Sequence, residues 1–262
     1  IARWQLVGFI HGVMNTDNTS ISGETLDYGP CAFLDEYDPS KRFSSADTGG
    51  RYASANQPRI ALWNLTRFAE APLPLLAKEQ EEAIGLAKAR LAHFLPTFQA
   101  AHLGVLRAKL GLAARADEDE GDMALAENLF ERLAANAVDY TLFFRRMCAS
   151  AAGAAADAET ATLVVNPGAF QDWARSWRTR LARESVASSA RAAAMRWVNP
   201  AFIPRNHRVE EVITAAVADG DFAPFESLLE VATRPYDERP ELARLAEPPK
   251  PEERVVETFC GT

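Results

Sequence analysis

Residues 8–30 read GFIHGVMNTDNTSISGETLDYGP, and this stretch decides how the rest of the chain is understood. Ser20-Ile21-Ser22 and Thr25-Leu26-Asp27 flank Gly23-Glu24, which predicts a short β-hairpin bracketed by Asp17-Asn18 on one side and Tyr28-Gly29-Pro30 on the other. Asn18 and Asp27 carry hard oxygens of the kind a magnesium ion takes, usually one or two from protein and the rest from phosphate and water. Asp17, immediately before Asn18, is the nearest carboxylate that could act as a base. Asp and Asn also occupy turns for purely structural hydrogen bonds. Each residue alone is explained that way; the joint pattern of His11, Asn18, Asp27 and Gly29 in a strand-and-turn context points to chemistry. His11 itself is expected to brace the loop rather than to catalyse.

Outward from this segment, the apolar residues from Asn56 onward recur at helical spacing, so the chain is predicted to be mainly α. A helix follows Pro58 through Phe68 and ends at the Pro72 and Pro74 pair. A second runs from about Leu75 to Phe94, and a third, carrying Phe98, Leu103 and Leu106, stops near Gly111. The acidic run Asp117 to Glu120 reads as a solvated turn before helices through Leu125 to Leu133 and through Tyr140 to Phe144. Ala149 to Thr162 is low-complexity and is expected to be a flexible connection. Further helices are predicted over Phe170 to Arg183, Val209 to Ala218 and Phe222 to Val231, with Gly220-Asp221 as the break. The Pro-rich tail from Pro235 to Pro251 is expected to form no element.

Among the 262 residues, 48% are apolar and 24% charged, an ordinary globular composition. The formal net charge of -8 leaves no global positive field for nucleic acid or an anionic membrane, and no apolar run has the length of a membrane span. Cys31, Cys148 and Cys260 match neither a disulfide framework nor a zinc pattern, so a reducing compartment is the expectation. The chain opens at Ile1 without Met or leader, from which we expect it to be the carboxy-terminal part of a longer protein.

In kinase-like enzymes the catalytic loop runs H-R-D-x-x-x-x-N and a D-F-G segment follows. His11 and Asn18 stand at that His-to-Asn separation, and Asp27-Tyr28-Gly29 stands where D-F-G would. Val13 occupies the position of the kinase catalytic Asp and can accept no proton. Together with FLDEYDP, GRYASANQP, IALWNL, DYTLFFRRM, VNPAFIPRN and LLEVATRPYDERPEL, the segment resembles the SelO (YdiU) family along essentially the whole chain.

That resemblance implies a protein adenylyltransferase of kinase-like fold, moving AMP from ATP, bound in a flipped orientation, to Ser, Thr or Tyr hydroxyls of protein substrates. It implies Asp17 as proton acceptor, Asn18 and Asp27 as ligands of Mg²⁺ (or Mn²⁺), and Asp27 as a contact to the nucleotide as well. It further implies that this chain is a kinase-like C-lobe over 1–148, with a helical extension and tail over 149–262, and that the N-lobe, with the glycine-rich loop and the phosphate-binding lysine, lies upstream. On that basis the isolated chain is expected to be inactive, to be monomeric, and to expose apolar surface where the N-lobe docks. The family keeps a redox Cys at the position of Cys260; its partner position is Phe43 here, and Cys31 is a weaker alternative. Cys148 reads as inert core. Gly50-Arg51-Tyr52 and Asn56-Gln57-Pro58 either shape the protein-substrate site or cap the following helix. Arg145-Arg146 and Arg205-Asn206-His207 either meet substrate or pair with nearby acids. The competing readings are a kinase-like phosphotransferase, which Val13 opposes, and a catalytically silent helical interaction module.

Overall fold

In the computed structural model, which describes residues 1–259, β1 (Phe9–Ile10) pairs antiparallel with β2 (Ala32–Phe33), Phe9 opposite Phe33 and Ile10 opposite Ala32. Everything between the two strands is loop, and that loop is residues 11–31. The expected hairpin over Ser20 to Asp27 is reduced to a single bridge, Thr19 to Thr25. The reason lies in burial: Phe9, Ile10 and Ala32 are inside, whereas Ile21 is 88% exposed and the 20–27 segment has no apolar face to bury. A helix that the periodicity does not predict, α1 (Ala2–Val7), precedes β1 and stops at Gly8 in the left-handed conformation. No side chain caps its start, so the usual signal of a helix N-terminus is missing.

The rest is helical, as expected. α2 (Gln57–Glu70) is followed by a single turn, α3 (Leu73–Leu76), then by α4 (Gln80–Leu91) and α5 (Phe94–Leu110). The predicted helix from Leu75 is therefore two pieces, because the chain is extended at Ala77. Gly111, at φ 69°, closes α5 where expected. α6 (Asp119–Ala135) starts inside the acidic run, which corrects the solvated-turn reading: Asp119, Glu120 and Asp122 occupy its first turn, where negative charge meets the positive end of the helix dipole. α7 (Tyr140–Ala152) is capped by Asp139, whose carboxylate accepts the Leu142 amide at 2.8 Å.

The Ala-rich stretch is helical rather than an irregular connection. It forms the end of α7, a 3-10 turn at Ala154–Ala156 and α8 (Asp157–Ala161), with Ala151 and Ala161 buried and the Ser150 and Thr160 hydroxyls 3.0 Å apart. Alanine has the best helix propensity, so low complexity here signals helix, although residues 152–155 are exposed. α9 (Pro167–Leu181), α10 (Ser188–Arg196), α11 (Asn206–Asp219) and α12 (Ala223–Thr233) complete the fold.

One core, with Ile10, Leu106, Phe143, Met147, Trp177 and Met195 among its members, runs from β1 to α10. A smaller cluster joins Phe202, Leu228, Val231 and Leu245. Leu245 lies on a 3-10 turn, Pro240–Ala246, and a second such turn spans Pro251–Glu253, so the tail does form elements, drawn in by an apolar anchor. Beyond them Thr258 pairs with the segment after β2: its amide donates to the Phe43 carbonyl (2.8 Å), its carbonyl accepts the Ser45 amide (3.0 Å), and its hydroxyl donates to the Pro30 carbonyl (2.6 Å). Cys260 lies outside the described residues. Cys148 is buried, and burial raises its thiol, as an inert core position requires. Among the described residues no helix is long and apolar enough to cross a membrane.

Candidate functional site

The 11–31 loop is pinned at both ends and from beneath. Gly12 has φ 87°, and a Cβ there would lie 2.6 Å from the Pro30 carbonyl oxygen, so only glycine lets the start of the loop touch its end. His11, fully buried between the rings of Trp4 and Phe9, accepts the Val13 amide on Nδ1 (3.4 Å) and donates from Nε2 to the Leu26 carbonyl (2.7 Å). It thus fixes the backbone directly before Asp27, which is the bracing role expected of it.

From α2, Gln57 accepts the His11 amide and donates to the Phe9 carbonyl, both at 3.1 Å, while Asn64 donates to the Met14 carbonyl (3.0 Å) and the Thr19 hydroxyl (2.8 Å). Tyr52 donates from its hydroxyl to Asn15 Oδ1 at 2.6 Å. Gln57 is therefore a clamp on β1 and the loop, not a helix cap, and Asn56 makes no side-chain cap either. The Asp47 carboxylate, 5% exposed, accepts the Arg51 and Tyr52 amides at 2.7 and 2.8 Å and so holds the tyrosine in place.

At the top of this support, Asn18 Nδ2 donates to Asp27 Oδ2 at 2.9 Å and to the Val13 carbonyl at 3.2 Å. Both amide hydrogens are used, which turns Asn18 Oδ1 away from Asp27 as a separate acceptor. Asp27 has φ 52°, a left-handed conformation uncommon outside glycine, and its Oδ1 accepts the Gly29 amide at 3.4 Å. Asp17 is exposed on the turn that the Asn18 amide closes onto the Asn15 carbonyl at 3.2 Å. Two of the predicted residues are thus brought into contact across nine positions of sequence, and the third neighbours them along the chain.

In chemistry the donors suit magnesium; as placed, Asn18 presents Nδ2 to Asp27, so the two share an ion only with that amide turned over. Asn18 Oδ1 and the Asp27 carboxylate are hard oxygens reachable from solvent. Among the described residues no cluster of three or more His, Cys, Asp or Glu forms a metal cage, so the remaining ligands would come from water and phosphate, as is usual for this ion.

Other motifs turn out to be structural. Arg205, 1% exposed, pairs with Asp35 (2.9 Å) and Asp139 (2.5 Å), and Asn206 bonds both the amide (3.0 Å) and the carbonyl (2.8 Å) of Phe33, holding β2 from outside. Burial is the dominant influence on Asp35 and raises it, opposed by Arg205. Arg145 binds Glu238 and the Asn199 and Tyr236 carbonyls, and Arg146 the Glu159 carbonyl. Cys31 is half-buried; burial first, then the Asp27 charge, push its thiol up to about 11. Gln57, Asn64, Asp47 and Asn206 act at or beneath the site in ways the sequence does not announce; a polar residue on the inward face of an amphipathic helix is the one signal that Gln57 and Asn64 leave.

Comparison with known proteins places these features in a wider set. The family model described as "Protein adenylyltransferase SelO" matches residues 1–233. Proteins named protein nucleotidyltransferase YdiU are similar over the whole chain: 58% identical in Bradyrhizobium sp. (strain BTAi1) over 262 residues, covering 52% of that protein. A relative in Methylorubrum extorquens is 55% identical over 268 residues, covering 53% of its length. That of Rhizobium etli is 52% identical, covering 52%. The chain spans about half the length of the curated relatives it matches.

Proposed function

The chain belongs to the SelO family, and from that premise we propose that it supplies the metal-binding and proton-accepting half of a protein adenylyltransferase working on ATP and on protein hydroxyls. The family and its relatives are named for nucleotidyl transfer; transfer of AMP to Ser, Thr or Tyr is our reading of this protein. Its kinase-like C-lobe is assigned to 1–148 and a helical extension to 149–262, with the remainder of the nucleotide site in the part of the protein outside this chain. We place the protein in the bacterial cytoplasm.

The observation that carries the reading is the Asn18 to Asp27 contact at 2.9 Å, held by a left-handed Asp27 and adjoined by Asp17. Asn18 and Asp27 would hold Mg²⁺ or Mn²⁺, which when bound neutralises charge on phosphate oxygens. Asp17 accepts the proton of the acceptor hydroxyl as its oxygen bonds to the α-phosphorus and the bond to the bridging oxygen breaks, releasing pyrophosphate. Val13, half-buried where a kinase has its base, supports transfer other than that of the terminal phosphate.

The test uses full-length protein with ATP labelled at either the α- or the γ-phosphate. The expected result is α-label on protein, reduced about 100-fold or more in Asp27→Ala, the order removal of a charge-stabilising group produces. Label from the γ-phosphate alone would make the protein a kinase, and none of either kind an interaction module.

A further inference from the structure

The loop stretch that carries Asp17 and Asn18 forms one wall of a cavity of about 410 Å³, and the Asn64 to Phe68 face of α2 forms the other. Thr16, Thr19 and Ile21 line it from the loop; Leu65 and Phe68 line it from the helix, with Arg67 at the rim. Its size falls in the range of about 300–1,000 Å³ typical of pockets that hold a ligand. Its apolar walls are open to solvent, since Ile21, Leu65 and Phe68 are all exposed. At the floor is Asn64, 2% exposed, whose two amide hydrogens are committed to Met14 and Thr19 while its Oδ1 has no partner among the described residues. A buried amide oxygen without a donor is uncommon in native structures.

Resting on the adenylyltransferase reading above, we propose that this cavity seats an apolar side chain of the acceptor polypeptide near the hydroxyl presented to Asp17. Three observations select this occupant. Thr16 and Thr19, which line the cavity, flank Asp17 and Asn18 in the chain, so whatever fills it lies near the reacting group. Its lining is apolar at Ile21, Leu65 and Phe68, which suits an apolar side chain better than a phosphate. The cation at the rim is already neutralised, Arg67 pairing with Glu70 at 2.6 Å and stacking on Trp63 at 5.5 Å, which removes the positive charge a phosphate would need. Arg51 also stacks on Trp63, 4.5 Å from the ring, and stiffens this edge of α2 against the Tyr52 segment.

The experiment measures AMP incorporation by full-length protein into a series of peptides with one Ser acceptor and Leu, Phe, Ala or Asp at each flanking position. Ile21→Glu and Leu65→Glu place a carboxylate in the cavity; Ile21 is 88% exposed, so its replacement leaves the fold intact. We expect wild-type protein to favour a Leu or Phe at one fixed position, and both variants to raise KM for that peptide about tenfold or more, the usual scale for a pocket that loses an apolar contact, with KM for ATP unchanged. Flat peptide preference, or variants that leave every peptide KM in place, overturns the proposal. A rise in KM for ATP instead assigns the cavity to the nucleotide and overturns it too. Wild-type protein that modifies no acceptor at all fails at the level of the underlying reading, and this inference falls with it.

Discussion

Lys109 is 1% exposed, yet among the described residues no carboxylate meets it. Its ammonium donates to the Leu6 carbonyl (2.7 Å) and Asn199 Oδ1 (3.0 Å) and lies over the rings of Phe144 (3.9 Å) and Tyr140 (4.6 Å). Burial pushes it well below the ordinary lysine range, with Cys148 opposing. The folded state therefore binds fewer protons than the unfolded state between that lowered value and about 10.4, and stability falls as pH drops through this window, because the buried amine must either stay neutral or take up a proton at a cost. We expect the wild-type chain to gain stability relative to Lys109→Met as pH rises toward the ordinary lysine value of about 10.4, read as the difference in urea midpoints at two pH values below it. Parallel midpoints would show that Lys109 keeps its proton. At this scale the sequence is legible where chemistry and spacing coincide, at His11, Asn18 and Asp27. It is not legible at Lys109 or Asn64, where a polar side chain on a helix turns inward because a carbonyl far along the chain waits there.

Between elements, charge does similar work. Asp122 on α6, 1% exposed, accepts Arg107 of α5 and Arg180 of α9, each at 2.6 Å, and Arg180 continues to Glu184, which meets Arg191 of α10 at 3.1 Å. Four helices are joined by one buried network. Removing its central carboxylate strands two guanidiniums, so Asp122→Ala is expected to cost about 3 kcal/mol, the lower end of the range for a broken buried pair because Asp119 and Glu184 remain. Chemical denaturation reads that value, and a loss below about 1 kcal/mol would mean the network is solvated. Helices with a proline start or a glycine stop, such as α2 and α5, are legible in the sequence. α10 carries no side-chain cap and leaves no such signal, α1 is too short for its six residues to show a period although Gly8 stops it, and the tail misleads because its anchors Leu242, Leu245 and Ala246 are set among prolines and acids.

Across the whole molecule a groove of about 1,600 Å³ runs between α1, α2, α4 and α5, lined by Trp4, Phe68, Leu76, Phe94, Phe98 and Trp197. An open apolar surface of this kind marks a contact. The curated relatives are about twice as long as this chain. We expect the 262-residue chain to enhance the fluorescence of an apolar dye and full-length protein to do so far less. Equal enhancement would show the groove to be open in both. Nothing in one chain's periodicity reveals such a groove, since it is defined by residues from α1 to Tyr236 meeting in space.

The tail strap has a practical side. Glu257 is exposed, and its neighbour Thr258 reaches Pro30, close along the chain to Asp27. A spin or fluorescent label at position 257 would sit beside the Asp27 turn without replacing any residue that builds it, and so give a spectroscopic reporter of what arrives there.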